Sequence, residues 1–116
     1  MIVVCDDDKT LTHLLSRLLE DAGYEVRVAN DGQAALALTQ EPKCKCMLLD
    51  MQMPNINGAE LLMLLSMKNI TVPVIVMTGF PDFDEEELKQ FPNVKKLMKK
   101  PLNPHDVLEA IKQFTL

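Results

Sequence analysis

Short apolar runs alternate with amphipathic segments along the chain, and this alternation predicts five strands and five helices. Apolar residues at helical spacing are clearest in residues 11–22 and 107–114, and we expect further helices at about 59–68 and 84–90. Strands alternating with helices of this length favour a parallel sheet with right-handed crossovers. The strand-like runs are residues 2–5, 25–29, 46–50, 74–77 and 94–99.

Residues with cap chemistry mark where the helices begin and end. Asp8 is interpreted as the N-cap of the first helix, and Gly23 stands where a C′ glycine belongs. Either Asn30 or Asp31 caps the second helix. Asn103, followed by a proline at the first helical position, opens the last one. In the first helix, the apolar stripe is predicted to comprise Leu11, Leu14, Leu15, Leu18, Leu19 and Ala22.

Size and composition predict one domain, residues 1–116, of a soluble globular protein with 47% apolar and 25% charged residues. The net charge of −5 argues against direct contact with nucleic acid. No apolar run approaches the roughly 20 residues that cross a membrane, and we expect neither a signal peptide nor a membrane partner. Three cysteines, at positions 5, 44 and 46, form no disulfide framework and favour the cytoplasm. Cys44 and Cys46 lack the second ligand pair of a zinc site.

Each candidate site residue ends or directly follows a predicted strand. Asp6 and Asp7 follow the first strand, Asp50 ends the third, Thr78 follows the fourth and Lys100 follows the fifth. These side chains should converge, because the carboxyl ends of parallel strands lie at one edge of the sheet. Crowded carboxylates repel one another unless a cation neutralises them, and oxygen ligands suit Mg²⁺. A divalent ion beside a carboxylate nucleophile, a lysine and a hydroxyl is typical of phosphoryl transfer.

Four motifs occur in a specific order along the chain. They are Val3-Val4-Cys5-Asp6-Asp7, Leu48-Leu49-Asp50 with Pro54 and Gly58, Val76-Met77-Thr78-Gly79, and Lys99-Lys100-Pro101. Together they resemble the receiver domain of a two-component response regulator, over essentially the whole chain. The resemblance implies a flavodoxin-like (βα)5 three-layer sandwich, with a five-stranded parallel sheet in the order 2-1-3-4-5.

The resemblance also implies a phosphoacceptor and a metal site. Asp50 would receive a phosphoryl group from a sensor histidine kinase or a histidine phosphotransfer protein. Asp7 would bind Mg²⁺ directly and Asp6 through a water molecule, while Asp50 and the backbone carbonyl of Gln52 would supply further oxygens. Such a domain is not an enzyme acting on other substrates, since it catalyses only its own phosphorylation and slow dephosphorylation.

The remaining site residues are assigned by the same resemblance. Lys100 would pair with Asp50 and then with a phosphoryl oxygen, and the Thr78 hydroxyl would bind another phosphoryl oxygen and carry the signal outward. Pro54 and Gly58 would shape the loop after Asp50. The resemblance also implies a cis peptide bond between Lys100 and Pro101, which the low cis penalty of an X-Pro bond permits.

Two positions depart from the pattern of many receivers. In receivers, the residues two positions beyond the phosphoacceptor and two beyond the conserved threonine or serine flank the path of the hydrolytic water. Here these are Gln52 and Phe80, and the bulk of Phe80 predicts slow self-dephosphorylation. Leu97 stands where many receivers carry an aromatic switch residue. We expect Leu97 to pack permanently against the last helix, while residues 79–96 reorder on activation.

The partners and alternatives follow from the same features. Signalling to an output domain or partner protein is expected through the face of the fourth helix, fifth strand and fifth helix, together with homodimerisation on phosphorylation. The chain is either a single-domain regulator or a receiver from a longer protein. A haloacid-dehalogenase-like phosphatase is the alternative, but it expects an aspartate two residues after the nucleophile, where Gln52 stands. A flavin or nucleotide carrier is disfavoured, because Asp6, Asp7 and Asp8 would repel phosphate.

Overall fold

Five parallel strands form the sheet, in the order β2-β1-β3-β4-β5. The computed structural model describes residues 1–53, 56–79 and 85–115. Within them the strands are β1 Ile2–Cys5, β2 Val26–Ala29, β3 Cys46–Asp50, β4 Val74–Thr78 and β5 Val94–Lys99. The helices are α1 Lys9–Asp21, α2 Gly32–Thr39, α3 Gly58–Met67, α4 Glu85–Leu88 and α5 Pro104–Thr115. The predicted element order and strand order are both confirmed.

The strand side chains alternate between two apolar layers, as a sheet covered on both faces requires. Val3 and Cys5 of β1 point into the layer that contains the buried side chains of α2 and α3. Ile2 and Val4 point into the opposite layer, which contains those of α1 and α5. The result is the predicted three-layer sandwich, with the sheet in the middle.

The predicted helix caps are present, and they explain where the helices begin. The Asp8 carboxylate accepts a hydrogen bond from the Leu11 amide at 3.1 Å. Asp31, rather than Asn30, caps α2 through the Ala34 amide at 2.8 Å. Asn103 caps α5, where its side-chain oxygen accepts from the His105 amide at 2.9 Å. Gly23 after α1 has a φ of 98°, a conformation that favours glycine.

Three details of the helices differ from expectation. Leu14 is 60% exposed, and α1 buries Thr12, Leu15, Ser16 and Leu19 instead of the full predicted stripe. Compared with the predicted stripe, the face of α1 that meets the sheet is therefore rotated toward the hydroxyl residues Thr12 and Ser16. Helix α3 begins and ends one residue earlier than predicted. Helix α4 ends at Leu88, two residues before the predicted end, and residue 84 lies outside the described residues.

The expected packing of Leu97 against the last helix is wrong. A register shift near the start of the β4–β5 ladder pairs Ile75 with Lys96 and Val76 with Leu97. Partners in a parallel ladder face the same side, and a one-residue slip exchanges the faces. Leu97 therefore lies half-buried on the layer of Leu88 and α3, and its neighbour Met98 packs on the α5 side.

The cysteines behave as buried apolar residues. All three are free and buried. Burial raises the pKa of the Cys46 thiol to about 12, and burial together with the Asp6 charge raises that of Cys5 to about 12. These thiols are therefore protonated and unreactive at neutral pH. In the part of the chain that the structure describes, no helix is long and apolar enough to cross a membrane.

Candidate functional site

The strand ends bring the predicted acidic residues together in one cleft. Asp6 follows β1 and is fully buried, and Asp50 ends β3 with 3% of its surface exposed. Asp7 lies beside them and is exposed to solvent. One carboxylate oxygen from each of Asp6, Asp7 and Asp50 lies within 4.8 Å of the other two. The convergence predicted from the parallel topology is present.

Lys100 enters this cleft but makes its shorter contact with a different acid from the one expected. Its Nζ lies 2.8 Å from Asp6 Oδ2 and 3.7 Å from Asp50 Oδ2. The expected ion pair with Asp50 is therefore present, and a shorter, hydrogen-bonded pair with Asp6 accompanies it. The Lys100 ammonium is within reach of both acids and makes its shorter bond to the more deeply buried one. The side chain of Asp6 is 1% exposed, and that of Asp50 is 5% exposed. The expected cis peptide bond between Lys100 and Pro101 is present.

The protonation of Asp50 depends mainly on its burial and on the charges beside it. Burial, together with the charge of Asp6, raises the pKa of Asp50 to about 6, against the lowering effects of the Gln52 amide and Lys100. Burial lowers the pKa of Lys100, but its hydrogen bond to Asp6 and the charges of Asp50 and Asp6 outweigh that and raise it overall. The cleft therefore holds more negative charge than its lysine compensates.

Gln52 connects the acid at the end of β3 with the hydroxyl at the end of β4. Its backbone N–H donates to Asp50 Oδ1 at 3.2 Å. Its side-chain carbonyl accepts from the Thr78 hydroxyl at 3.4 Å, and Thr78 is fully buried. From the sequence, Gln52 was expected only to offer its backbone carbonyl to Mg²⁺ and to lie beside the path of the hydrolytic water. No sequence signal points to the side-chain contact, because it depends on the rotamers of both residues.

Asn30 has a role beside the site that the sequence did not indicate. Its side-chain amide donates to the backbone carbonyl of Asp6 at 3.0 Å instead of capping α2. The Asp8 amide donates to Asp6 Oδ1 at 2.9 Å. These contacts fix Asp6 from both sides. The position of Asn30 directly after β2, next to the end of β1 in the sheet, is the signal that could have found it.

The loop after Asp50 approaches α3 so closely that it requires glycine. A Cβ atom at Gly58 would lie 2.7 Å from Met51 Cα and 3.1 Å from the Asp50 carbonyl oxygen. Such a contact would force the backbone beside the site to move. Gly58 therefore shapes this loop, as expected. Pro54 and Phe80 lie outside the described residues, so their expected roles stay predictions.

The parallel sheet carries an acidic cleft at the carboxyl ends of its strands. This combination defines a class of α/β domains whose functional residues lie where the strands end. Within that class, the chain belongs to the family of response regulator receiver domains. The family model, described as "Response regulator receiver domain", matches residues 2–112. The chain is thus a receiver domain of the two-component response regulators, and the resemblance seen in its motifs is confirmed.

Curated relatives agree with this assignment. The transcriptional regulatory protein CpxR of Escherichia coli K12 is 35% identical over 111 residues, which cover 96% of this chain and 47% of that protein. The alkaline phosphatase synthesis transcriptional regulatory protein PhoP of Bacillus subtilis is 29% identical over 111 residues, covering 96% of this chain and 46% of PhoP. The chain spans about half the length of the curated relatives it matches.

Solved structures give the same fold. A response regulator receiver domain from Clostridium thermocellum superposes with a TM-score of 0.87 at 28% identity, covering 98% of this chain and 92% of that one. The chemotaxis protein CheY4 of Vibrio cholerae gives a TM-score of 0.86 at 26% identity, covering 97% and 96%. The predicted fold class is confirmed.

Proposed function

We propose that residues 1–116 form one receiver unit in which Asp50 accepts a phosphoryl group from the phosphohistidine of a sensor histidine kinase or a histidine phosphotransfer protein. The observation that carries this proposal is the position of Asp50. It is a buried carboxylate at the end of β3, grouped with Asp6 and Asp7 and 3.7 Å from the Lys100 ammonium. A nucleophile, a charge-rich cleft and a cation lie within reach of one another.

The donor set fits Mg²⁺. Three carboxylate oxygens within 4.8 Å of one another are the hard ligands that this ion prefers. Burial, with the charge of Asp6 adding to it, raises the pKa of Asp50, and a bound cation would offset the charge of the Asp6 carboxylate. Asp7 would bind the ion directly and Asp6 through a water molecule, with Asp50 and the Gln52 backbone carbonyl as further ligands. When bound, the ion neutralises charge on the cluster and on the phosphoryl oxygens.

The chemical step is a substitution at phosphorus. A carboxylate oxygen of Asp50 forms a bond to the phosphorus atom, and the phosphorus–nitrogen bond of the donor breaks. The electron pair of that bond returns to the imidazole nitrogen, and the product is an acyl phosphate on Asp50. Lys100, already inside the cleft, exchanges part of its contact with Asp6 for a phosphoryl oxygen. Ionised Asp50 is the nucleophile, and a folded-state pKa of about 6 leaves it mostly ionised at neutral pH.

The signal then passes to an output partner. The Thr78 hydroxyl would donate to a phosphoryl oxygen and so couple the end of β4 to the α4-β5-α5 face. On this face Lys95 and Lys96 are exposed, and α4 begins with the three acids Glu85, Glu86 and Glu87. We propose this mixed-charge face as the surface for an output domain, a partner protein or a second copy after phosphorylation. A cytoplasmic location fits such a relay.

Beryllofluoride, a mimic of the phosphoryl group, tests the proposal. Fluorine NMR of the protein with beryllofluoride should show a bound signal only when Mg²⁺ is present. The signal should disappear in Asp50→Asn and persist in Asp8→Asn, which keeps a capping side chain on α1. A bound signal in Asp50→Asn equal to that of the wild type would overturn the assignment of Asp50.

A further inference from the structure

We propose that the Gln52 side chain is a positioning residue that holds the Thr78 hydroxyl in the resting state and competes for it with the phosphoryl group on Asp50. The inference rests on the proposed function. It assigns Gln52 a part in the conformational switch. The stronger the Gln52–Thr78 hydrogen bond is, the less readily the domain enters its active state.

The geometry gives Gln52 two contacts that bear on the same step. Its backbone N–H donates to Asp50 Oδ1 at 3.2 Å, and its side-chain Oε1 accepts from Thr78 Oγ1 at 3.4 Å. One residue therefore touches both the acceptor and the hydroxyl that is to respond to it. Gln52 is half-buried and Thr78 fully buried, so the two groups meet at the inner side of the cleft.

The backbone around Thr78 is fixed, so its side chain is the part that can change partner. The Lys100 amide donates to the Thr78 carbonyl at 2.7 Å, and Thr78 pairs with Lys99 in the β4–β5 ladder. A threonine has one hydroxyl proton to donate. If that proton goes to a phosphoryl oxygen, it must leave Gln52 Oε1, and rotation about the Thr78 side chain is the smallest movement that achieves this.

The length of the Gln52–Thr78 hydrogen bond indicates how far its loss would shift the equilibrium between the resting and active states. A distance of 3.4 Å is long for an O–H···O hydrogen bond, so the contact is weak and easily exchanged. Removing it raises the free energy of the resting state alone, which shifts the population toward the active state. A weak hydrogen bond corresponds to a shift of about two- to fivefold in the equilibrium.

A double-mutant cycle tests the inference. Gln52→Met keeps the length of the side chain and both backbone groups but removes the acceptor. Thr78→Val keeps the shape of the side chain but removes the hydroxyl. Gln52→Met should tighten Mg²⁺-dependent beryllofluoride binding about two- to fivefold. In the Thr78→Val background the same change should have no effect, and Gln113→Met, on the exposed face of α5, should have none in either background.

A second readout needs neither metal nor ligand. In the metal-free protein, three-bond couplings to the Thr78 methyl group should report a different rotamer population in Gln52→Met from that in the wild type, because the hydroxyl loses its contact with Gln52 Oε1. Unchanged couplings, or an equal change of beryllofluoride affinity in both Thr78 backgrounds, would overturn the inference. If wild-type protein bound no beryllofluoride, the proposed function would fail, while the couplings would still decide whether Gln52 holds the hydroxyl.

Discussion

The Lys100 ammonium lies 2.8 Å from Asp6 Oδ2 and 3.7 Å from Asp50 Oδ2, so its shorter contact is with Asp6 and not with the proposed phosphoacceptor Asp50. Burial of Asp50, together with the charge of Asp6, raises its pKa to about 6 despite the nearby Lys100 ammonium. Before phosphorylation the site is therefore short of positive charge. The first three predictions below follow from this arrangement.

In metal-free protein, Asp50→Asn should stabilise the fold at neutral pH. The folded-state pKa of Asp50, about 6, lies above its ordinary value of 3.8, so the folded state binds the proton more tightly. The resulting destabilisation is fully present above about pH 6 and is relieved as the pH falls. The variant should gain on the order of 2 kcal/mol at about pH 7.5 and about half of that at about pH 5. Denaturant unfolding with a chelator measures both, and an equal gain at the two pH values would contradict the account.

Magnesium should stabilise the protein by binding only its folded state. At a concentration about five times the dissociation constant, the gain in unfolding free energy is about 1 kcal/mol. Asp7→Asn should weaken this gain, and it should stabilise the metal-free protein because it removes repulsion within the cluster. Thermal unfolding with and without the ion measures both effects. A melting temperature that ignores Mg²⁺ would argue against a working acid cluster.

Lys100→Met should destabilise the metal-free protein, because it leaves the buried Asp6 carboxylate without its cation. The lysine side chain is 25% exposed, so solvent moderates the loss to roughly 1–2 kcal/mol. Lys99→Met is the matched control, since that neighbouring lysine is exposed and no ion pair of Lys99 occurs among the described residues. Equal losses in the two variants would show that the Lys100–Asp6 pair contributes nothing.

Activation should change amide exchange in residues 85–97. Helix α4 has four residues and buries only Leu88, so few contacts hold it in place. Leu97 packs on the same apolar layer as Leu88 and should sense its movement, contrary to the expectation that Leu97 stays unaffected. Exchange measured with and without beryllofluoride in the presence of Mg²⁺ tests this. Changes confined to α5, with residues 85–97 silent, would contradict it.

Much of the fold was predictable because the apolar periodicity is strong. The four buried residues of β1 and the buried run ending at Asp50 identify central strands, and cap residues such as Asp8 mark helix starts. The convergence of Asp6, Asp7 and Asp50 follows from parallel topology alone. These features depend on local sequence and on the right-handed crossovers that connect parallel strands, which leave few possible topologies.

The failures arise where a residue's surroundings depend on distant parts of the chain. The face of Leu97 depends on a register shift between β4 and β5, which local sequence does not reveal. Leu14 fits the apolar spacing of α1, yet the way that helix lies on the sheet leaves it exposed. The choice of Lys100 between two acids, and the Gln52–Thr78 contact, depend on side-chain geometry within the assembled cleft.

The most direct test of the central claim is the intact mass of the protein after incubation with acetyl phosphate and Mg²⁺. Wild-type protein and Asp8→Asn should each gain one phosphoryl group, and Asp50→Asn should gain none. The gain should disappear when the metal is chelated. Modification of Asp50→Asn to the same extent as the wild type, or a gain that persists with the chelator present, would contradict the assignment of Asp50 as the metal-assisted phosphoacceptor.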